Sequence, residues 1–296
     1  MIVALINNKG GVAKTTTAVN IAAGLCGKGS RVLLVDLDSQ AAASLSLRVR
    51  RADLRPSIAD VLLHAKPPRE VIRKTTLENL DLFTGSNELA AVDSQLATDP
   101  ERDFRVRRVL DEVYDDYAHI VIDCPPSLSA LSVNALVASD YYIVPVTPSF
   151  LTLGGLASLV EEVNALHKRL DGDVAGLLGF VLTMVDYRNG TTQKLVESVR
   201  AGWKDLVFKT EIRVNVKLSE APSVGKTIFQ HAPTSSGAKA YRDLCKELLR
   251  REKELESPEP SPVEGANPTA ETVPSSTEAA PQAPASESPT PQVSAT

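Results

Sequence analysis

The sequence predicts an α/β fold, a doubly wound and mostly parallel β-sheet with helices on both faces. Short apolar runs of strand length alternate along the chain with segments in which apolar residues recur at helical spacing. The length of 296 residues and the hydrophobic content of 43% are sufficient for one large domain of this kind. Because strands joined by helical crossovers run parallel, their sheet is covered by helices on both sides.

The predicted elements follow one another in strict alternation along most of the chain. Six strands are predicted at residues 2–6, 32–35, 80–83, 119–122, 141–146 and 179–184. Seven helices are predicted at residues 16–27, 57–63, 103–113, 131–137, 153–170, 192–203 and 237–255. A helix therefore follows the first strand directly, where α/β folds often bind phosphate groups.

The last part of the chain differs in composition from the rest. Residues 257–296 contain nine of the 19 prolines and five glutamates, but no Lys, Arg or aromatic residue. Without large apolar groups, such a segment cannot offset the entropy lost on ordering. We expect a folded domain of residues 1–256 and a disordered tail of residues 257–296. The tail also carries the net charge of −5, since five of the 37 acids lie in it and the remaining 32 match the 32 bases.

Composition also excludes several classes of protein. The three cysteines, Cys26, Cys124 and Cys245, are far apart, which argues against a disulfide scaffold, a zinc site or a dithiol redox centre. No apolar run reaches the roughly 18 residues of a membrane span, and no signal peptide is recognisable. The cysteine usage indicates a reducing, cytoplasmic compartment. We expect no membrane anchor, because an acidic tail follows the last helix.

The most informative stretch is the loop from Asn8 to Thr16, NKGGVAKTT, between the first strand and the first helix. Two successive glycines allow backbone N–H groups to converge on an anion, and the helix adds its positive end. The standard phosphate-loop pattern would require glycine where the chain has Asn8 and Ala13. A glycine-rich turn with two solvated lysines is the structural alternative.

The stretch resembles the deviant Walker A motif, K-G-G-x-x-K-[ST], of the ParA/MinD family of P-loop ATPases. The resemblance implies that ATP and Mg²⁺ bind here, with Lys14 on the β- and γ-phosphates, Thr15 on Mg²⁺ and Thr16 on the α-phosphate. Family members use the rest of the loop for the phosphates as well, here Lys9, Gly10, Gly11, Val12 and Ala13. Ala13 stands where the family usually has glycine, which adds a methyl group beside the phosphates.

The first lysine of the motif has a separate role in the family. By resemblance, Lys9 crosses to the nucleotide of a second subunit, where a positive side chain offsets the charge of two facing ATP–Mg²⁺ complexes. This implies a homodimer that forms with ATP. The catalytic residues implied by the resemblance are Lys9, Lys14 and Asp38.

Three aspartates at predicted strand ends extend the resemblance. Asp36 and Asp38 lie in the segment VDLDSQ, which is similar to the family's D-x-D-P-Q element, and Asp123 follows the strand at 119–122 as in a Walker B segment. The resemblance implies that Asp38 orients or activates the attacking water, while Asp36 and Asp123 lie near Mg²⁺. Helix capping is the structural alternative for the first two carboxylates.

Further matches favour the chromosomal, Soj-like branch of the family. The segment NVKLSEAPSVGK at 215–226 is close to that branch's N-V-[RK]-L-S-E-A-P-S-x-G-K signature, and residues 127–140 and 144–148 match the stretches after Walker B. By resemblance to this branch, the pocket around Met184, Val185, Asp186 and Pro222 borders the adenine.

Nonspecific DNA binding is a weaker expectation from the same resemblance. Arg188 and Lys217 match basic positions of the branch, and Arg213 lies close to the family's usual arginine, whose place is taken by Val214. Contacts to phosphates alone would suit a protein without a helix-turn-helix reader. A solvated charged face is the alternative, and the arginines at 48, 50, 51 and 55 form a second basic cluster.

The resemblance thus implies an ATP-dependent dimerising switch that partitions chromosome or plasmid DNA on the nucleoid, with a ParB-type partner that stimulates its slow ATPase. An orphan relative that positions a protein cargo, such as a chemoreceptor array, a microcompartment or a division regulator, is the main alternative. A MinD-like division-site switch is less favoured because it would need a membrane-targeting helix. An electron-transfer ATPase would need cysteines for an iron–sulfur cluster, for which Cys124 is the only candidate.

Overall fold

A computed structural model describes residues 1–27, 29–96, 98–149 and 152–256. The tail predicted at 257–296 lies outside the described residues. Eight strands form one sheet: β1 (Ile2–Leu5), β2 (Val32–Asp36), β3 (Arg73–Lys74), β4 (Leu80–Phe83), β5 (His119–Asp123), β6 (Tyr141–Val146), β7 (Gly176–Val185) and β8 (Ile212–Arg213). Their spatial order is β3-β4-β2-β5-β1-β6-β7-β8, and every neighbouring pair is parallel except β3 with β4.

The helices connect these strands across the two faces. They are α1 (Lys14–Cys26), α2 (Ala42–Ser46), α3 (Ile58–His64), α4 (Pro68–Val71), α5 (Val92–Gln95), α6 (Arg105–Asp111), α7 (Ala130–Val137), α8 (Thr152–Arg169), α9 (Thr192–Trp203), α10 (Val216–Ser223), α11 (Ile228–His231) and α12 (Ser236–Glu256). None of them, within the described residues, is long and apolar enough to cross a membrane.

Two apolar cores fill the space between the sheet and its helices. One core includes α3, α6, α7 and α8 together with the side chains that point to that face of the central strands. The other contains α1, α11 and α12 with the alternate side chains of the same strands. In β1, for example, Ile2 and Ala4 belong to the first core while Val3 and Leu5 belong to the second. Burial on both faces explains why the strands are continuous apolar runs.

The predicted α/β fold is confirmed. All six predicted strands and all seven predicted helices are present, with ends shifted by up to three residues. The prediction lacks the edge strands β3 and β8, which have two residues each, and the short helices α2, α4, α5, α10 and α11. The two strands and four of these helices have five residues or fewer, too short for a side-chain period to be recognised. Helix α10 has eight residues but contains Pro222, a residue that disfavours a helix prediction.

Candidate functional site

The fold brings three loops together at one edge of the sheet. Strand β5 lies between β1 and β2, and its last residue, Asp123, is in register with Leu5 on one side and Asp36 on the other. The glycine-rich loop follows β1, and the segment with Asp38 follows β2. The predicted phosphate loop and both acidic segments therefore meet at the carboxyl ends of parallel strands, where open α/β sheets bind ligands.

The loop between β1 and α1 is shaped by two residues with a left-handed backbone. Gly11 has φ +74°, and Ala13, directly before α1, has φ 59° and ψ 30°. A Cβ atom built on Gly10 or Gly11 would meet no described heavy atom within 4 Å, so the loop leaves free space above its backbone. The Thr183 hydroxyl donates to the Val12 carbonyl at 3.0 Å and fixes the loop from β7.

Helix α1 presents an uncapped N-terminus to this space. No described side chain caps the helix, and its first turn contains no acid. Lys14 is buried, and its Nζ lies 3.5 Å from the carbonyl oxygen of Asn7. A cavity of about 270 Å³ opens here, lined by Gly10, Gly11, Ala13, Lys14, Thr15, Thr16, Asp38 and Pro126. Free N–H groups and a lysine at a helix start form an anion site.

Lys9 differs from Lys14 in its surroundings. Its side chain is exposed, and its Nζ donates to the Ser149 hydroxyl at 3.2 Å, on the loop after β6. Its backbone N–H donates to Asn7 Oδ1 at 2.8 Å. The two lysines of the motif thus face different environments, one inside the loop and one on the protein surface.

Asp123 is fully buried, and neither of its carboxylate oxygens has a hydrogen-bond partner of good geometry among the described residues. Burial and the charge of Asp36 raise the pKa of Asp123 well above its usual range, while Thr15 and Lys14 oppose the rise. An orphaned buried carboxylate is costly unless it serves a ligand. The position beside the Thr15 hydroxyl suits a cation or a cation-bound water.

Asp36 is also fully buried, but its hydrogen bonds are satisfied. Its Oδ2 accepts from the Ser44 hydroxyl at 2.7 Å and from the Ser44 N–H at 2.8 Å. The Ser44 hydroxyl oxygen in turn accepts from the Gly85 N–H at 3.0 Å. Burial raises the pKa of Asp36 to about 6, against the lowering effect of the Ser44 bonds. These contacts tie the segments after β2 and β4 to α2.

Asp38 extends from this tied segment into the cavity of the phosphate loop. Its N–H lies 3.3 Å from Asp36 Oδ1, and its own Oδ1 accepts from the Gln40 N–H at 2.9 Å. The side chain is half-buried. A carboxylate here is held in place while keeping access to solvent and to the space above the loop.

Of the residues predicted beside the adenine, Met184 lines the cleft next to the phosphate loop, whereas Asp186 and Pro222 are not among its lining residues. That cleft, of about 320 Å³, is lined by Gly11, Ala13, Thr16, Met184, Ile212, Arg213, Val214, Asn215, Leu218, Ser219 and Tyr241. Asp186 instead pairs with Arg188, and Pro222 lies inside α10. Their assignment to the nucleotide stays a prediction.

The three predicted DNA-binding residues are exposed but differ in their partners. The Arg188 guanidinium donates to both carboxylate oxygens of Asp186, at 2.8 and 2.7 Å. Lys217 Nζ lies 2.8 Å from Glu220 Oε2. Arg213 has no acidic partner among the described residues, and its guanidinium carbon lies 4.9 Å from the centre of the Tyr187 ring. Local acids therefore neutralise two of the three cations.

Two residues that support the site are missing from the sequence-based prediction, Ser44 and Gly85. A Cβ atom on Gly85 would lie 2.9 Å from Asp36 Cγ and from the carbonyl oxygens of Asp36 and Asp38, so only glycine fits there. Neither residue belongs to a motif that marks chemistry. The position of Ser44 in the sequence indicates a contact with Asp36 only when the fold shows that α2 returns to the end of β2.

Comparisons with known proteins agree with this geometry. The profile of a family described as "AAA domain" matches residues 1–175. The sporulation initiation inhibitor protein Soj of Bacillus subtilis is 42% identical over 247 residues, which are 83% of this chain and 97% of the relative. The chromosome-partitioning ATPase Soj of Thermus thermophilus is 42% identical over 259 residues, 85% of this chain and 96% of the relative.

A solved structure shares the fold as well. It is the cobyrinic acid a,c-diamide synthase from Mycobacterium smegmatis with bound ATP analogue and magnesium. Its TM-score is 0.74 and its sequence identity 30%, over 85% of this chain and 95% of that one.

The left-handed backbone at Ala13 leads to a stability prediction. An L-residue in this conformation is strained by about 1–2 kcal/mol, of which glycine is free, although glycine loses more entropy on folding. We expect Ala13→Gly to raise the free energy of unfolding by about 0.5–1 kcal/mol in urea titrations. Ala201→Gly, at an exposed position inside α9, is the control and should lower it by about 1 kcal/mol. Equal losses in both variants would contradict the strain.

The contacts of Ser44 lead to a second prediction. Ser44→Ala leaves the buried Gly85 N–H without its acceptor and removes one bond to Asp36, so we expect a loss of about 2–3 kcal/mol of unfolding free energy. Ser46→Ala is the matched control two residues on, because within the described residues that hydroxyl bonds only the Ala42 carbonyl of its own helix, at 2.7 Å. It should change stability by less than about 0.5 kcal/mol. If thermal or urea unfolding gives both variants the same stability, Ser44 does not hold the segment.

Proposed function

The chain belongs to the Soj/ParA family of partitioning ATPases, and from this premise we propose that it is an ATP-dependent dimerising switch acting on DNA. It is an ATPase with ATP, ADP and Mg²⁺ as its ligands, as the family and its nucleotide-bound structural relative indicate. In the proposed cycle, ATP brings two copies together and the dimer binds duplex DNA irrespective of sequence. Hydrolysis, stimulated by a ParB-type partner, then releases the DNA.

The orphaned carboxylate of Asp123 beneath the open glycine loop is the observation that carries this proposal. The residues present fit a magnesium–triphosphate: free space above Gly10 and Gly11, a buried Lys14, and an Asp123 carboxylate with no hydrogen-bond partner of good geometry among the described residues. Lys14 and the start of α1 would hold the phosphates, and Thr15 with Asp123 would hold Mg²⁺ or its water. Bound Mg²⁺ neutralises charge that develops on the phosphates.

Asp36 keeps in this proposal the place near Mg²⁺ that the motif implies, but it acts through its hydrogen bonds. Its Oδ2 is occupied by Ser44, and its Oδ1 faces the Asp38 N–H. We infer that it fixes the segment that carries Asp38 and contributes charge near Mg²⁺ rather than binding the ion directly. Asp38 then orients the attacking water and accepts its proton.

The surface position of Lys9 supports a role across a dimer interface. Within its own chain, Lys9 Nζ contacts a neutral hydroxyl, so its charge remains available to a second subunit's triphosphate. Basic residues on the exposed surface near β8, among them Arg213 with Arg188 and Lys217, would meet DNA phosphates. On this proposal, the protein in the cell associates with the nucleoid.

The two lysines should be separable by mutation. Lys14→Ala removes the buried cation of the phosphate loop, so we expect ATP binding to be lost in titrations with a fluorescent analogue. Lys9→Ala should keep ATP binding within about threefold but lose ATP-dependent dimerisation, because its charge acts in trans. Light scattering with ATP and Mg²⁺ measures the dimer.

Lys168→Ala serves as the charge-matched control, since Lys168 is exposed on α8. It should bind ATP and dimerise like the wild type. A Lys9→Ala protein that dimerises normally would exclude the role of Lys9 across the dimer interface. A Lys14→Ala protein that still binds ATP would show that the phosphates bind elsewhere.

Asp38 variants should separate binding from hydrolysis. We expect Asp38→Ala to bind ATP and to dimerise, with ATP turnover at least tenfold slower, because the attacking water loses its base. Asp38→Asn is the matched variant: its amide oxygen keeps the bond to the Gln40 N–H, but it cannot accept a proton. The rate of phosphate release, measured for both variants, decides whether Asp38 acts in catalysis. Slow turnover in Asp38→Ala alone would assign Asp38 a structural role, and normal turnover in both would exclude it from catalysis.

A further inference from the structure

A second polar cavity lies beside the strand that carries Arg213, away from the phosphate loop. It has a volume of about 500 Å³ and is lined by Lys209, Thr210, Glu211, Arg213, Ser236, Gly237, Lys239, Ala240 and Asp243. We call it the β8–α12 groove, because its walls are the segment leading into β8 and the first turns of α12. Three of its lining residues are cations and two are acids.

The acids of the groove are already paired with groups outside its lining. Glu211 Oε1 lies 2.8 Å from Arg200 Nη2, and its Oε2 accepts from the Tyr187 hydroxyl at 2.9 Å. Asp243 Oδ1 accepts from Lys246 Nζ at 3.0 Å. These partners neutralise both carboxylates.

The cations of the groove are not neutralised in this way. Among the residues that the structure describes, no acid lies within ion-pair distance of Lys209, Arg213 or Lys239, and all three are exposed. The groove therefore presents three uncompensated positive charges around one concave surface. Arg188 and Lys217 contrast with them, because each has a carboxylate within 2.8 Å.

The wall that carries Lys209 is held firmly against α12. The buried Glu247 accepts from the Lys209 N–H at 2.7 Å, from the Thr210 N–H at 2.9 Å and from the Thr210 hydroxyl at 2.8 Å. Arg251 stabilises the same carboxylate at 3.3 Å. The spacing between Lys209 and Lys239 is thus set by the fold, which favours binding without a large ordering cost.

We propose that the β8–α12 groove receives the phosphate backbone of duplex DNA, and that Lys209 and Lys239 supply its main contacts together with Arg213. This rests on the proposed DNA-binding function and assigns it a position. Lysines act as point charges on phosphates and read no base edge, so the groove suits binding without sequence preference. Arg188 and Lys217 would contribute less, because DNA must first compete with their own acids.

The test compares three double variants of the full chain with ATP and Mg²⁺, on unrelated duplexes and over a range of salt concentrations. The groove variant is Lys209→Ala with Lys239→Ala, and the paired-cation variant is Arg188→Ala with Lys217→Ala. The control is Lys66→Ala with Lys168→Ala, which removes the same charge on the side of the sheet that carries α3 and α8. ATPase activity and dimerisation verify that each variant is folded.

We expect the groove variant to bind DNA at least about tenfold more weakly at moderate salt. The slope of log affinity against log salt should become shallower by about 1.8 per subunit, or about 3.6 for the dimer, since each lost phosphate contact removes about 0.9. The control should match the wild type, and the paired-cation variant should lose less affinity than the groove variant. If the groove variant keeps the wild-type DNA affinity and salt dependence, the groove does not bind DNA, although the protein still does. A wild-type dimer that binds no duplex would overturn the proposed DNA binding, and the groove with it.

Discussion

The rest of the site depends on two buried carboxylates that end neighbouring strands. Asp36 and Asp123 are in register across β2 and β5, and both are fully buried. Burial raises the pKa of both carboxyls, the charge of Asp36 raises the pKa of Asp123 further, and the charge of Asp38 raises that of Asp36. Ser44 satisfies the hydrogen bonds of Asp36, whereas Asp123, beside Lys14 and Thr15, has no hydrogen-bond partner of good geometry among the described residues. The unsatisfied carboxylate is the one that gains most from a cation.

Backbone strain in the phosphate loop is a second source of instability at the site. Gly11 adopts a positive φ without penalty, but Ala13 adopts one with a methyl group in place. Such strain persists only when the surroundings hold it, and here Val12 is bonded to β7 while Ala13 leads directly into α1. The strained loop lines the phosphate cavity, and the orphaned carboxylate lies beside Thr15 and Lys14, which line the same cavity, so a bound magnesium–triphosphate would stabilise both.

The fold and the position of the site could be predicted from the sequence because they depend on local patterns. Apolar runs identified the central strands, and the order of strand, GGVAKTT and helix identified the phosphate loop. The network of Ser44 and Gly85 could not be predicted, since it depends on how α2 and the end of β4 return to Asp36 in space. The ion pair between Asp186 and Arg188 could not be predicted either, because it depends on how the two side chains are oriented in the folded protein.

Charge illustrates the same limit in a more general way. Arg188 and Lys217 are cations by sequence, yet each shares its charge with an acid two or three residues away. Lys209 and Lys239 lie 30 residues apart and belong to no motif, but the fold places both on one groove whose acids are neutralised from outside. What attracts a polyanion is the charge left over after local pairing. The family resemblance therefore points to Arg188 and Lys217, whereas the charge left unpaired in the structure points to Lys209 and Lys239.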